Sequence, residues 1–201
     1  MAIFSLCHRA VGRSTHRAGT AGAHAAYITR RSAARVVIGQ HMPMRPAKAR
    51  AWLDEAEQAD RKNARVIDKI MVALPLEFTA EERETLIRVF IRQLSENRVP
   101  WLAALHDTEK DAHNPHAHLI LRDRDIATGQ RFVKLSDKDS TQRLRALWET
   151  CLNRALEAKE SPQRVSRLSL AAQGIARLPE RHRGPRRHIA VPLELGRTYG
   201  S

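Results

Sequence analysis

Hydrophobic and polar positions alternate along this chain in two rhythms, one with the period of strands and one with the period of helices. Residues 2–7 (AIFSLC) read as a short buried strand, and Gly12, Arg13 and Ser14 mark a turn after it. Residues 20–31 (TAGAHAAYITRR) are alanine-rich and predict a helix with Thr20 as its N-cap. A loop through Pro43 and Pro46 leads to a polar helix over residues 47–60, and residues 64–74 (ARVIDKIMVAL) predict a strand that Pro75 closes. Thr79 and Glu82 form a capping box for a helix reaching about Leu94. Two strands follow, residues 99–106 (VPWLAALH) and 116–124 (HAHLILRDR), joined by a polar loop with Asn114 and Pro115. Residues 125–130 read as a turn and 131–135 as a returning strand. A long helix over residues 140–159 carries Leu144, Leu147, Cys151 and Leu152 as a core stripe, and a short helix lies around residues 168–173. Strands interleaved with helices and joined by short loops predict an α+β domain with an antiparallel central sheet flanked by helices.

The same alternation places chemistry. On the strand 116–124, His116, His118, Ile120 and Arg122 share one face, and Ala117, Leu119 and Leu121 share the other, which is expected to face the core. The histidines are then expected to face a surface. His106 shares a face with Leu102 and Ala104, so a hairpin brings it beside the His116–His118 pair. Three imidazoles with open positions describe a catalytic metal site better than a closed structural one. His-x-His by itself also arises by chance or as a DNA-backbone contact. His113, in the loop, reads as a solvent or phosphate contact. All-nitrogen ligation favours Mn, Zn, Ni, Co or Cu over Mg in vitro.

Tyr27 is one of two tyrosines, the other being Tyr199 close to the chain end. Most tyrosines are packing residues. This one follows a run of small residues that permits close approach of another backbone, and Arg30 and Arg31 lie one turn after it, suited to hold phosphate. A phenol with a normal pKa of about 10 becomes a useful nucleophile when cations favour phenolate or a metal activates the phosphate.

Charge narrows the partner. The formal net charge is +13, and residues 1–50 hold nine Lys/Arg and no acid, while residues 161–201 hold eight Arg against Glu180 and Glu194. Basic ends around a balanced middle are the footprint of a protein that neutralises phosphates, with attraction to anionic lipid or a solvated tail as the other readings. At 201 residues the chain suits one domain with a full core, taken as residues 1–160, and a basic C-terminal extension over 161–201. Cys7 and Cys151 have no paired spacing, no apolar signal segment opens the chain, and no apolar run approaches a membrane span, so a cytoplasmic location without membrane insertion is expected.

Five stretches together carry a resemblance: MAIFSL, GTAGAHAAYITR, VALP at residues 72–75, HDTEKDAHNPHAHLILRDRD at 106–125, and AQGIARLPERHRGP at 172–185. They resemble relaxases of the MobA/MobL (MobQ) group in the HUH endonuclease superfamily. The resemblance implies a palm-like antiparallel sheet, Tyr27 as nucleophile, and His106, His116 and His118 as ligands of Mg or Mn. It further implies single-stranded origin-of-transfer DNA as substrate, with accessory mobilisation proteins and a type IV secretion coupling protein as partners. Arg13, Arg30, Arg31, Arg122 and Arg124 are candidate DNA contacts, and Asp123 or Asp125 a candidate orienting group behind a histidine. Some relatives carry glutamates where this chain has Lys69 and Met71, and Asp68 replaces them only if it faces the site. Many relatives continue into a further C-terminal module. A water-using metal phosphodiesterase would keep the histidines without Tyr27, and a non-enzymatic DNA-binding protein would keep only the basic ends.

Overall fold

A computed structural model describes residues 3–108 and 111–176. Within them the chain runs β1 (Leu6–Gly12), α1 (Thr20–Ile28), β2 (Val36–Gln40), α2 (Pro46–Ala59), β3 (Arg65–Ala73), α3 (Ala80–Ser95), β4 (Trp101–His106), β5 (His116–Leu121) and α4 (Ser140–Ala158). The strands form one sheet in the order β1-β3-β5-β4-β2, antiparallel throughout. This is the expected α+β architecture.

Both faces of the sheet are covered. On one, Ile70, Val72, Ala103, Leu105 and Leu119 meet Leu86, Ile87 and Phe90 of α3 and Leu144, Trp148 and Leu152 of α4. Phe90 and Trp148 meet edge to face with centroids 5.1 Å apart. On the other, Val11, Ile67, Leu102, Ala104 and Ile120 meet Ala21, Ala25 and Ile28 of α1 and Ala49 and Leu53 of α2. Double coverage explains why β4 is buried at every position and reads as a continuous apolar run. It also corrects the expectation that the histidine face is a surface, because Leu102, Ala104 and Ile120 on that face are buried and only its histidine end is partly open.

Several local expectations change. The first strand is Leu6–Gly12 and not residues 2–7, because pairing with β3 continues through polar residues from Leu6↔Val72 to Val11↔Ile67 and shifts register only at Gly12. Residues 36–40, for which the sequence pattern predicted no element, form edge strand β2 along β4. The N-cap of α1 is Gly19, whose φ of 77° suits glycine and whose amide donates to Glu57 Oε2 at 3.1 Å. Residues 131–135 form no strand, since Asp123 takes up their backbone amides. The capping box of α3 is present, with Glu82 N donating to Thr79 Oγ1 at 3.2 Å and Thr79 N to Glu82 Oε2 at 2.7 Å.

The first compact unit runs Met1–Arg167. Residues beyond α4 remain in it because Val165 N donates to Asn153 Oδ1 at 2.8 Å and Arg167 pairs with Glu149 at 2.6 Å. A second unit starts at Leu168, and its described part, residues 168–176, holds a short 3-10 helix, Ala171–Gln173. The arginine-rich stretch from 177 onward and Tyr199 lie outside the described residues. No helix among the described residues is long and apolar enough to cross a membrane.

Candidate active site

β4 ends on His106 and β5 begins on His116, directly opposite it in the antiparallel register, and His118 lies opposite Ala104 two positions on. All three imidazoles therefore leave the same face at one end of the sheet. Ring centroids are 4.8 Å apart for His106 and His118, 5.0 Å for His116 and His118, and 5.2 Å for His106 and His116. One nitrogen from each lies within 4.8 Å of the others.

Backbone carbonyls orient two of the rings. His106 Nε2 lies 2.8 Å from the Ile28 carbonyl, and His116 Nδ1 lies 2.9 Å from the Asn114 carbonyl. A carbonyl only accepts, so both nitrogens are N–H donors, leaving the Nδ1 lone pair of His106 and the Nε2 lone pair of His116 free to ligate. Burial lowers the pKa of His118 to about 3, helped by the neighbouring His106, His116, His24 and Lys69. Burial also lowers that of His106, against the opposing pull of the Ile28 hydrogen bond. At neutral pH these rings are neutral, the state a metal ligand needs.

Tyr27 sits in the last turn of α1, one residue before Ile28, and is 61% exposed. The Arg30 guanidinium lies 3.9 Å from its ring centroid and also donates to the Tyr27 carbonyl. The helix reaches the sheet here because Gly22 allows α1 to lie against α2: a Cβ at Gly22 would meet the Arg50 carbonyl at 2.8 Å and collide with the Asp54 carboxylate. The run of small residues before Tyr27 thus serves helix packing, and that packing sets where Tyr27 stands.

Most other sequence candidates have partners of their own. Arg31 lines a shallow cleft with Arg35, Thr108 and Asp111. Arg13 and Arg124 lie toward the opposite end of the sheet, where Arg13 donates to the Gln58 and Asp60 carbonyls and Arg124 is 4.0 Å from Asp60. Arg122 is not a free phosphate contact: its guanidinium is held by both Asp60 oxygens, at 2.8 and 2.9 Å, with only 11% of its side chain exposed. Neither aspartate stands behind a histidine. Asp123 accepts from the amides of Phe132, Val133 and Lys134, and Asp125 accepts from those of Ala127 and Thr128 and from Arg98. The Thr128 amide bond is the main reason the Asp125 pKa falls to about 2. Asp68 faces α4 and is paired with His8 at 2.7 Å and with Arg65, so it does not replace the absent glutamates. His113 is exposed on the loop.

Sequence reasoning missed three residues beside the triad. The His24 ring centroid is 6.5 Å from that of His118, and burial, with Lys69 second, lowers its pKa to about 4. Arg9 and Lys69 line the adjoining cleft. The i, i+3 spacing of His24 and Tyr27 on one helix was an available signal for the first.

The chain matches the MobA/MobL family over residues 16–190. It is 29% identical to mobilization protein A of Escherichia coli over 167 residues, which is 72% of this chain and 23% of that protein's length. Its fold is similar to a structure described under the molecular basis of vancomycin resistance transfer in Staphylococcus aureus, with a TM-score of 0.65 and 21% identity over 84% of this chain and 100% of the other. It is also similar to the conjugative relaxase TrwC in complex with origin-of-transfer DNA, with a TM-score of 0.56 and 14% identity over 81% of this chain and 73% of that one.

Proposed function

This chain belongs to the MobA/MobL family, and we propose that it nicks one strand of plasmid DNA at an origin of transfer, through a covalent bond between Tyr27 and the 5′ phosphate. The observation that supports this reading is the hydrogen bond from His106 Nε2 to the Ile28 carbonyl, which ties the helix end that bears the exposed Tyr27 to one of three converging imidazoles. Their all-nitrogen donor set, with lone pairs free on His106 and His116, fits a divalent ion, Mg or Mn by family and other first-row ions in vitro. Such an ion would draw charge from a non-bridging oxygen of the scissile phosphate.

The protein's own part is positional. His106, His116 and His118 hold the site at the edge of the covered sheet, and Arg30, stacked on the exposed Tyr27 ring, restricts its rotation. Tyr27 Oη, losing its proton, forms a bond to phosphorus as the bond to the 3′ oxygen breaks, and that oxygen takes up a proton. One phosphodiester is exchanged for another, so the step runs backward to rejoin the strand. The basic N-terminal region supports binding of the single strand. Accessory mobilisation proteins and a secretion coupling protein are the partners of such a complex, and the cytoplasm is where it would act.

Purified protein, Mn and a labelled single-stranded oligonucleotide spanning the origin of its own replicon test this on a denaturing protein gel. The expected result is a labelled protein band that requires metal and disappears in Tyr27→Phe. Cleavage without such a band, or an unchanged band in Tyr27→Phe, overturns the assignment.

A further inference from the structure

Beside His118 the sheet carries a cleft of about 270 Å³ lined by Cys7, Arg9, His24, Lys69 and Met71. Its charge is unusual. Arg9 of β1 and Lys69 of β3 are directly opposed in the antiparallel register, and like charges facing across two strands are destabilising. Several other cations of this fold have carboxylates: Arg122 has Asp60, Arg65 has Asp68, and Arg35 and Arg83 share Asp107. Among the described residues no carboxylate lines this cleft, and the one acid on β3, Asp68, turns to the other face. An unopposed cation pair in a cleft repels a metal ion and suits an anion.

Its position says which anion. Met71 is opposite His118, and Lys69 is two residues along β3 from Met71 on the same face. With strands about 4.8 Å apart and a rise of about 3.4 Å per residue, the Lys69 backbone lies roughly 8 Å from that of His118. That is about one nucleotide step along an extended strand. We infer that Arg9 and Lys69, with His24 across the cleft, seat a second phosphate of the bound DNA strand, adjacent to the phosphate that Tyr27 attacks. This rests on the proposed nicking function and gives the strand a direction, from the triad over β3 toward the free edge at β1. The exposed thioether of Met71, on the path between the two phosphates, offers an apolar floor for the sugar.

The test is binding of a single-stranded origin oligonucleotide, measured against salt concentration, for the wild-type chain and for Arg9→Ala/Lys69→Ala. The double variant is expected to bind more weakly, with a salt slope shallower by about 0.7, one single-strand phosphate contact. An uncharged methylphosphonate at the linkage next to the nick should weaken the wild type and leave the double variant unaffected. Lys69→Glu provides a fold control: the new ion pair with Arg9 should raise its melting temperature while DNA binding falls. An unchanged slope, or a methylphosphonate effect that persists in the double variant, overturns the phosphate seat alone. Normal binding with the expected salt response but no Tyr27 adduct overturns the nicking reading and leaves the seat standing. A wild-type chain that binds no single strand removes both.

Discussion

His106 Nε2 and the Ile28 carbonyl, 2.8 Å apart, tie the histidine triad to the turn of helix that bears Tyr27. His106 is 4% exposed and Ile28 is fully buried, so this bond has no water to replace it. The hydrogen bond that selects the His106 ring tautomer is therefore also a restraint on the helix that carries Tyr27.

That double role separates two alanine variants. His106→Ala should abolish metal binding and, in the presence of chelator, also lower stability by about 1–3 kcal/mol, because the Ile28 carbonyl is left buried without a donor. His116→Ala removes a half-exposed ring and should lose metal with little change in chelator-treated stability. Chemical denaturation and metal titration of both variants check this, and equal stability losses would count against the Ile28 restraint.

Gly22 predicts an effect at a distance. Gly22→Ala forces a methyl against the Arg50 carbonyl and the Asp54 carboxylate, so α1 must move away from α2. Overpacking of this kind costs about 1–3 kcal/mol. Covalent adduct formation should fall more than metal affinity, because α1 carries Tyr27 while two of the three histidines have no contact with it through a backbone carbonyl. Adduct yield and metal affinity measured on one preparation decide the point.

The triad was legible because a period of two fixes which side chains share a face, and the short polar loop between residues 106 and 116 left the hairpin as the simplest join. The observed pairs His106↔His116 and Ala104↔His118 bear that out. Coverage of the same face was not legible: nothing local in Leu102, Ala104 or Ile120 says that an alanine-rich helix will lie over them. Edge strand β1 was placed too early and β2 was not predicted for a related reason, since half-buried edge strands carry residues such as Arg9 and Gly39 that interrupt the apolar pattern. The aspartates at 123 and 125 looked like helpers because they lie near the histidines in sequence. In space they follow the far end of β5, where their charge is spent on loop amides. Arg9 and Lys69 needed the register of β1 with β3, which no periodicity supplies.

Two half-buried imidazoles set a pH dependence for the metal-free protein. His118 and His24, with pKa values near 3 and 4 when folded against 6.5 ordinarily, bind fewer protons folded than unfolded between those values. Their neutral burial is fully tolerated above about pH 6.5, and stability is lost as pH falls from there toward the folded values. Thermal melting of chelated protein should therefore drop steadily from pH 7 to pH 4. In His118→Asn the drop should be shallower, and an identical slope would contradict the buried, neutral assignment.

Arg30 provides the most selective probe of the proposed nucleophile. Its guanidinium lies over the Tyr27 ring, 3.9 Å from the centroid, on a side chain that is otherwise exposed. An exposed cation–π contact contributes about 0.5–1 kcal/mol, equivalent to roughly a two- to fivefold effect on the fraction of rings held in place. Arg30→Ala should reduce the rate of adduct formation by about that factor if positioning is its whole contribution, and by considerably more if the guanidinium also contacts the scissile phosphate. Single-turnover rates distinguish these, because a phosphate contact adds salt dependence that a ring contact lacks. Arg30→Lys retains the charge but loses the planar stack, so it should recover the salt-dependent part alone. No loss of rate in either variant would mean that Tyr27 is held by the DNA and not by its own helix.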